Sequence, residues 1–152
     1  MNENRVWLIT GTSSGFGRAV AEAALGRGDR VVATARDPGQ LSDLAADDGV
    51  HGIALDVTDP EQRLSAVDQA VERFGRIDVL VNNAGRTQVG AVEETTDDEL
   101  RSLFELHFFA PVALTRAVLP HMRAQGGGAD VERRRSNHGA RLRRVLCDEV
   151  RL

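Results

Sequence analysis

The chain has 152 residues, 41% of them hydrophobic and 28% charged, with a net charge of −4. That is enough for one domain with its own core. It gives no general reason to expect nucleic acid or an anionic membrane as a partner. One cysteine, Cys147, excludes an internal disulfide and suits a reducing cytoplasm, which is the expected location. No apolar run nears the roughly 20 residues of a membrane span, and "MNENRVWLIT" enters a strand pattern at once with no leader-like stretch before it. Two residue types are missing altogether. There is no tyrosine, and all 19 basic residues are arginine, so there is no lysine.

"RVWLIT" (5–10) is a short apolar run ending at a glycine loop, which predicts a buried strand. "GRAVAEAALGRG" follows as a helix, with Ala19, Val20, Ala23, Ala24 and Phe16 as its apolar face and Gly28 as its stop. "RVVATA" (30–35) and "HGIALDV" (51–57) predict the second and third strands. "TDPE" (58–61) opens a helix as a capping box from Thr58 to Glu61, followed by Leu64, Val67, Val71 and Phe74 at helical spacing. "RIDVLVNNAG" (76–85) is the fourth strand and its exit loop.

"TDDE" (96–99) is a second capping box, before Leu100, Leu103, Phe104, Leu106 and Phe108. Pro111 predicts a break in that helix, and "VALTRAVLPHMR" continues it. The strands are apolar throughout rather than alternating. They therefore belong to a parallel sheet covered by helices on both faces. From residue 129 the composition changes. Seven arginines fall in 24 residues, with neither a convincing strand nor a convincing helix pattern. The division expected is a half-domain over 1–128 and an irregular arginine-rich tail over 129–152. A nucleic-acid-binding tail is disfavoured by the interspersed acids and the lack of aromatics.

The segment "TGTSSGFG" (10–17) lies between a strand and a helix, where unpaired N–H groups and a partial positive charge make an anion site. Gly11 permits the tight turn, Gly15 lets the backbone approach a diphosphate, and Gly17 lets the helix pack close to the strand. Thr12, Ser13 and Ser14 add hydroxyls, and Phe16 sits within the same turn.

The spacing T-G-x-x-x-G-x-G, with "NNAG" (82–85) about 70 residues on, resembles the short-chain dehydrogenase/reductase family. "LDVTDPE" and "LTRAVLPHM" resemble further segments of it, so the likeness covers roughly 5–125. The resemblance implies an α/β fold, a Rossmann-like doubly wound parallel sheet. Here it would be truncated, with strand order 3-2-1-4 and the C-terminal strands missing, so that the outer edge of the fourth strand is exposed and helix faces lack cover. It implies hydride transfer between a nicotinamide cofactor and an alcohol or carbonyl. Asp56 would accept from the adenine amino group with the Val57 backbone beside it. Asn83, Ala84 and Gly85 would line the cofactor. The usual interface helices fall partly in the altered region, so a homo-oligomer is left open.

At the end of the second strand, "VVATARDP", the acidic slot that would hold a ribose 2′-hydroxyl is Ala35, and Arg36 follows. A guanidinium pairs well with phosphate, which favours NADP(H) over NAD(H), with Asp37 as the competing acid. The family's base is a tyrosine in a Tyr-x-x-x-Lys pair, and this chain has neither residue. Its relay asparagine would fall in "FELHFFAP", where His107 stands, either as a relay or as a packing residue. Ser136, in the arginine-rich segment, is not assigned as the substrate serine.

The ending offers a reason. "VLCDEVRL" (145–152) can be written GTA CTC TGC GAC GAA GTT CGC CTN. Started one base later, those codons read Tyr-Ser-Ala-Thr-Lys-Phe-Ala, which contains the missing pair about 60 residues past "NNAG". Residues from about 129 are thus expected to be an out-of-frame reading of a family gene.

Overall fold

A computed structural model describes residues 4–136 and 139–146, with side chains through Val131. Strands β1 (Val6–Ile9), β2 (Arg30–Ala35), β3 (Val50–Ala54) and β4 (Val79–Asn82) form a parallel sheet in the order 3-2-1-4. Leu8 sits between Val32 on β2 and Leu80 on β4, and Ile9 between Ala33 and Val81. Successive residues point to opposite faces, and both faces are buried. Leu8, Val32 and Leu80 belong to one core, while Ile9, Val31, Ala33 and Val81 belong to the other. This is why the strands read as unbroken apolar runs.

Helix α1 (Gly15–Leu25) covers the second core with Ala21 and Ala24. Helices α2 (Pro60–Phe74) and α4 (Ala110–Ala124) cover the first, through Ala66, Val67, Ala70, Leu114, Val118 and Met122. Helix α3 (Asp97–Phe104) leads into α4 through a π turn at Glu105–Phe109.

Several local expectations shift. The buried face of α1 is Gly17, Ala21 and Ala24, with Val20 and Leu25 partly buried, so the expected Ala19 and Ala23 point to solvent. The helix ends at Leu25, and Gly28 (φ 83°) serves the turn beyond it. In α2 the cap is Asp59 rather than Thr58. Its carboxylate accepts from the N–H groups of Glu61 and Gln62, with Pro60 in the first turn. Leu64 is 58% exposed because the helix turns its alanines to the sheet. The Thr96–Glu99 capping box forms as expected. The break ahead of Pro111 takes the form of the π turn, which absorbs the backbone that proline cannot hydrogen-bond.

The sheet also extends beyond β4. Strand β5 (Ala129–Ser136) pairs parallel with β4, and β6 (Gly139–Leu146) pairs antiparallel with β5. The outer edge of β4 is therefore covered, contrary to expectation. A two-residue period hidden in "ADV" explains the start of β5: Ala129 and Val131 are buried while Asp130 points to the other face and bonds Thr115. Residues 137–138 and 147–152, which include part of the shifted-frame segment, lie outside the described residues.

The expectation of uncovered helix faces holds at α3 and the π turn, where Phe104 (61%), Phe108 (57%) and Phe109 (55%) are exposed. The continuous helical run Asp97–Ala124 has 28 residues, and an 18-residue stretch within it, at mean hydropathy 1.3, is long and apolar enough to cross a membrane by length and composition. No such run was expected from the sequence. Its Ala110, Leu114, Val118 and Met122 pack on the sheet as those of a core helix do.

Candidate functional site

The chain runs outward from β1 through β2 to β3, then returns to β4 on the other side of β1. At such a reversal the loops leaving adjacent strands diverge and open a crevice. Here it is a cleft of about 510 Å³ at the carboxyl ends of the first four strands. Gly11, Ser13, Ser14, Gly15 and Phe16 line it from β1. Ala35 and Arg36 line it from β2, and Leu55 to Thr58 from β3. Asn83, Ala84 and Gly85 close the β4 side.

The floor is a lock between the first and fourth strand exits. The Thr10 hydroxyl accepts from the Asn83 and Ala84 N–H groups, both at 2.9 Å, and donates to the Val81 carbonyl. The Asn83 amide returns two bonds of 2.9 Å, to the carbonyls of Thr10 and Gly11. Gly17 presses on this lock: a Cβ there would lie 2.3 Å from both Asn83 Nδ2 and the Gly11 carbonyl oxygen. Gly17 lies beneath the cleft rather than on its wall. Thr12 also faces inward. It is fully buried, and its hydroxyl donates to the Thr34 carbonyl.

Above the floor, Gly11 (φ 70°) and Gly15 (φ 61°) turn the chain through left-handed conformations into α1. Ser14 caps α1 by position but makes no side-chain cap bond, and the first turn carries no acid. The positive end of the helix is thus open to the cleft, with neither a cap nor a carboxylate to satisfy it. That chemistry fits a diphosphate.

At the far end, Asp56 is half-buried. Its Oδ1 accepts from the Thr58 N–H (2.9 Å) and hydroxyl (2.7 Å), and Oδ2 has no hydrogen-bond partner among the described residues. The two Thr58 bonds, with help from the Arg36 charge, hold this carboxyl below its ordinary pKa against the opposing effect of burial. Arg36 is exposed and makes no hydrogen bond or ion pair among the described residues. Asp37, the competing acid, is turned away: its carboxylate accepts from the Gly39 N–H at 2.9 Å. Ala35 is buried and brings no acid to the end of β2.

His107 stands outside the main cleft, lining an adjoining hollow of about 370 Å³ with Asn82, Leu103 and Pro111. Its Nε2 donates to the Arg86 carbonyl at 2.7 Å, which leaves Nδ1 as the acceptor nitrogen. The ring lies over Gly85, where a Cβ would come within 2.6 Å of Cε1. Sequence reasoning missed Gln62 and Arg63, which support the Asp56–Thr58 turn from α2. The polar letters at the start of "EQRLSAV" were the only signal.

Three comparisons bear on this geometry. A family model described as short chain dehydrogenase matches residues 5–132. The chain is 47% identical over 127 residues to the oxidoreductase BOA17 of Botryotinia fuckeliana, covering 82% of this chain and 46% of that protein. It is 35% identical over 123 residues to the 3-oxoacyl-[acyl-carrier-protein] reductase FabG of Escherichia coli, covering 79% and 50%. A solved short-chain dehydrogenase from Streptomyces avermitilis superposes with a TM-score of 0.83 at 57% identity, covering 87% of this chain and 49% of that one. The chain thus spans about half the length of the relatives it matches.

Proposed function

The chain belongs to the short-chain dehydrogenase family, and from that premise we propose that its cleft binds NADP(H). It would be the cofactor-binding half of an oxidoreductase whose intact form acts on an alcohol or carbonyl. The observation that carries this reading is the uncapped, acid-free N-terminus of α1 opening onto a cleft whose far end presents a free carboxylate oxygen. The backbone of Gly11 to Gly17, with the hydroxyls of Ser13 and Ser14, would hold the diphosphate. Thr12 would act from below by pinning the turn to β2. Asp56 Oδ2 would accept from the adenine amino group beside the Val57 backbone. Asn83, Ala84 and Gly85 would border the nicotinamide side. Arg36 would meet the 2′-phosphate, because no carboxylate forms an ion pair with it among the described residues and Asp37 is bonded to the Gly39 N–H.

When bound, the cofactor supplies or accepts the hydride. This chain supplies no tyrosine and no lysine to manage the accompanying proton. We read His107 as a packing residue over Gly85 rather than a substitute for them, because it lies outside the main cleft. We therefore assign binding without turnover to the chain as written. Residues from about 129 are read as out of frame; the family match itself continues to residue 132, just past that point. A cytoplasmic location rests on the single cysteine.

Titration with NADPH and an alcohol-oxidation assay test the proposal together. Micromolar binding without turnover is the expected result. Turnover would overturn the silent assignment, and absence of binding would overturn the cofactor reading. A codon other than GTA at position 145 would overturn the frame reading.

A further inference from the structure

The turn after β3 is built from beneath by the first turn of α2, through side chains that the cofactor reading leaves unused. The Asp56 N–H donates to Gln62 Oε1 at 2.8 Å. The Gln62 amide cannot flip, because its Nε2 donates to Asp59 Oδ2 at 3.0 Å. Asp59 is itself fixed as the α2 cap. Next along the helix, Arg63 is buried, and its Nη1 donates to the Val57 carbonyl at 2.5 Å. One turn of helix thus grips both residues of the edge that faces the cleft: Asp56 by its N–H, Val57 by its carbonyl. Thr58 then fixes the Asp56 carboxylate through Oδ1.

We propose that Gln62 and Arg63 are positioning residues that aim the Asp56 carboxylate and the Val57 backbone at the purine edge of the dinucleotide, so that selection of adenine over hypoxanthine is set from the first turn of α2. This rests on the cofactor reading above. Adenine offers an amino group to the carboxylate and an acceptor nitrogen beside it. Hypoxanthine reverses both, with a carbonyl oxygen and an N–H, so it meets a fixed carboxylate acceptor to acceptor. A carboxylate free to swing would let water intervene and discriminate poorly. Rigid support from α2 is what converts the chemical difference into selectivity.

The test titrates the whole chain, by nicotinamide fluorescence, with NADPH and with its hypoxanthine analogue. The wild-type chain is expected to favour NADPH by about tenfold or more, the scale of one hydrogen bond to a charged group. Gln62 is half-buried, so Gln62→Met should fold. It is expected to cut the preference to about threefold or less while binding of the analogue changes by less than about twofold. Arg63→Met should act likewise, and Arg63→Lys, which keeps a donor for the Val57 carbonyl, should restore most of the preference. A preference unchanged in Gln62→Met, or both dinucleotides weakened in parallel, would overturn the proposal and leave these residues a purely structural role. A wild-type chain that binds both dinucleotides equally overturns it alone. One that binds neither removes the cofactor reading as well.

Discussion

Gly17 has no room for a side chain, since a Cβ would sit 2.3 Å from both Asn83 Nδ2 and the Gly11 carbonyl oxygen. Both obstacles belong to the floor of the cleft and neither can swing aside. Gly17→Ala should therefore displace α1 from β4 and weaken NADPH binding by tenfold or more, measured by fluorescence titration. Thr10 is almost fully buried and its hydroxyl serves two backbone N–H groups. Thr10→Val keeps the shape and strands the Ala84 N–H, while the Asn83 N–H keeps the Val81 carbonyl, at a cost of about 1–3 kcal/mol in urea unfolding. On the proposed reading, Arg36 sets cofactor choice. Arg36→Ala should reduce affinity for NADPH several-fold and leave that for NADH nearly unchanged. Asp56 carries a pH signature. Its folded pKa lies below the unfolded value of about 3.9, so its stabilisation is complete above that value and is lost as pH falls through the lower folded pKa. The stability difference between wild type and Asp56→Ala should accordingly be flat from neutral pH to about 4 and shrink below it.

Among the elements, α2 depends on a cap that the sequence masked. In "VTDPE" both Thr58 and Asp59 are good caps, but a proline strongly favours the first helical turn, which makes Asp59 the residue outside it. Asp59→Ala should cost about 1 kcal/mol of stability. It should also loosen Gln62, whose amide Asp59 holds. The strands were legible because a parallel strand buried on both faces leaves an unmistakable apolar run. The glycine turn and "NNAG" were legible because their residue types are dictated by backbone geometry. Helix faces were less so. Alanine-rich α1 offers an alanine on several sides, and only the sheet decides which of them is buried. Strand β5 was hidden because its inward residues, Ala129 and Val131, are followed by an arginine run that reads as solvated tail. The inward turn of Thr12 and the grip of Gln62 on Asp56 could not be read at all, since both depend on contacts between separate elements.

At the scale of the molecule, the sheet is closed at β4 while the outer side of α3 and the π turn remains apolar and open, with Phe104, Phe108 and Phe109 each more than half exposed. An uncovered patch of this kind favours association. Light scattering should rise with protein concentration, and Phe104→Ser together with Phe108→Ser should suppress the rise without changing NADPH affinity. The lock between Thr10 and Asn83 has a temporal consequence. Its two halves lie 73 residues apart in sequence, and closing so long a loop comes late in folding relative to local helix formation. A chain growing on the ribosome therefore has its glycine turn long before it has a place to put a dinucleotide. Until β4 docks against β1, the turn has no floor. On the proposed reading, cofactor capture would then serve as a timer, reporting not that the glycine motif has been made but that its distant partner has arrived.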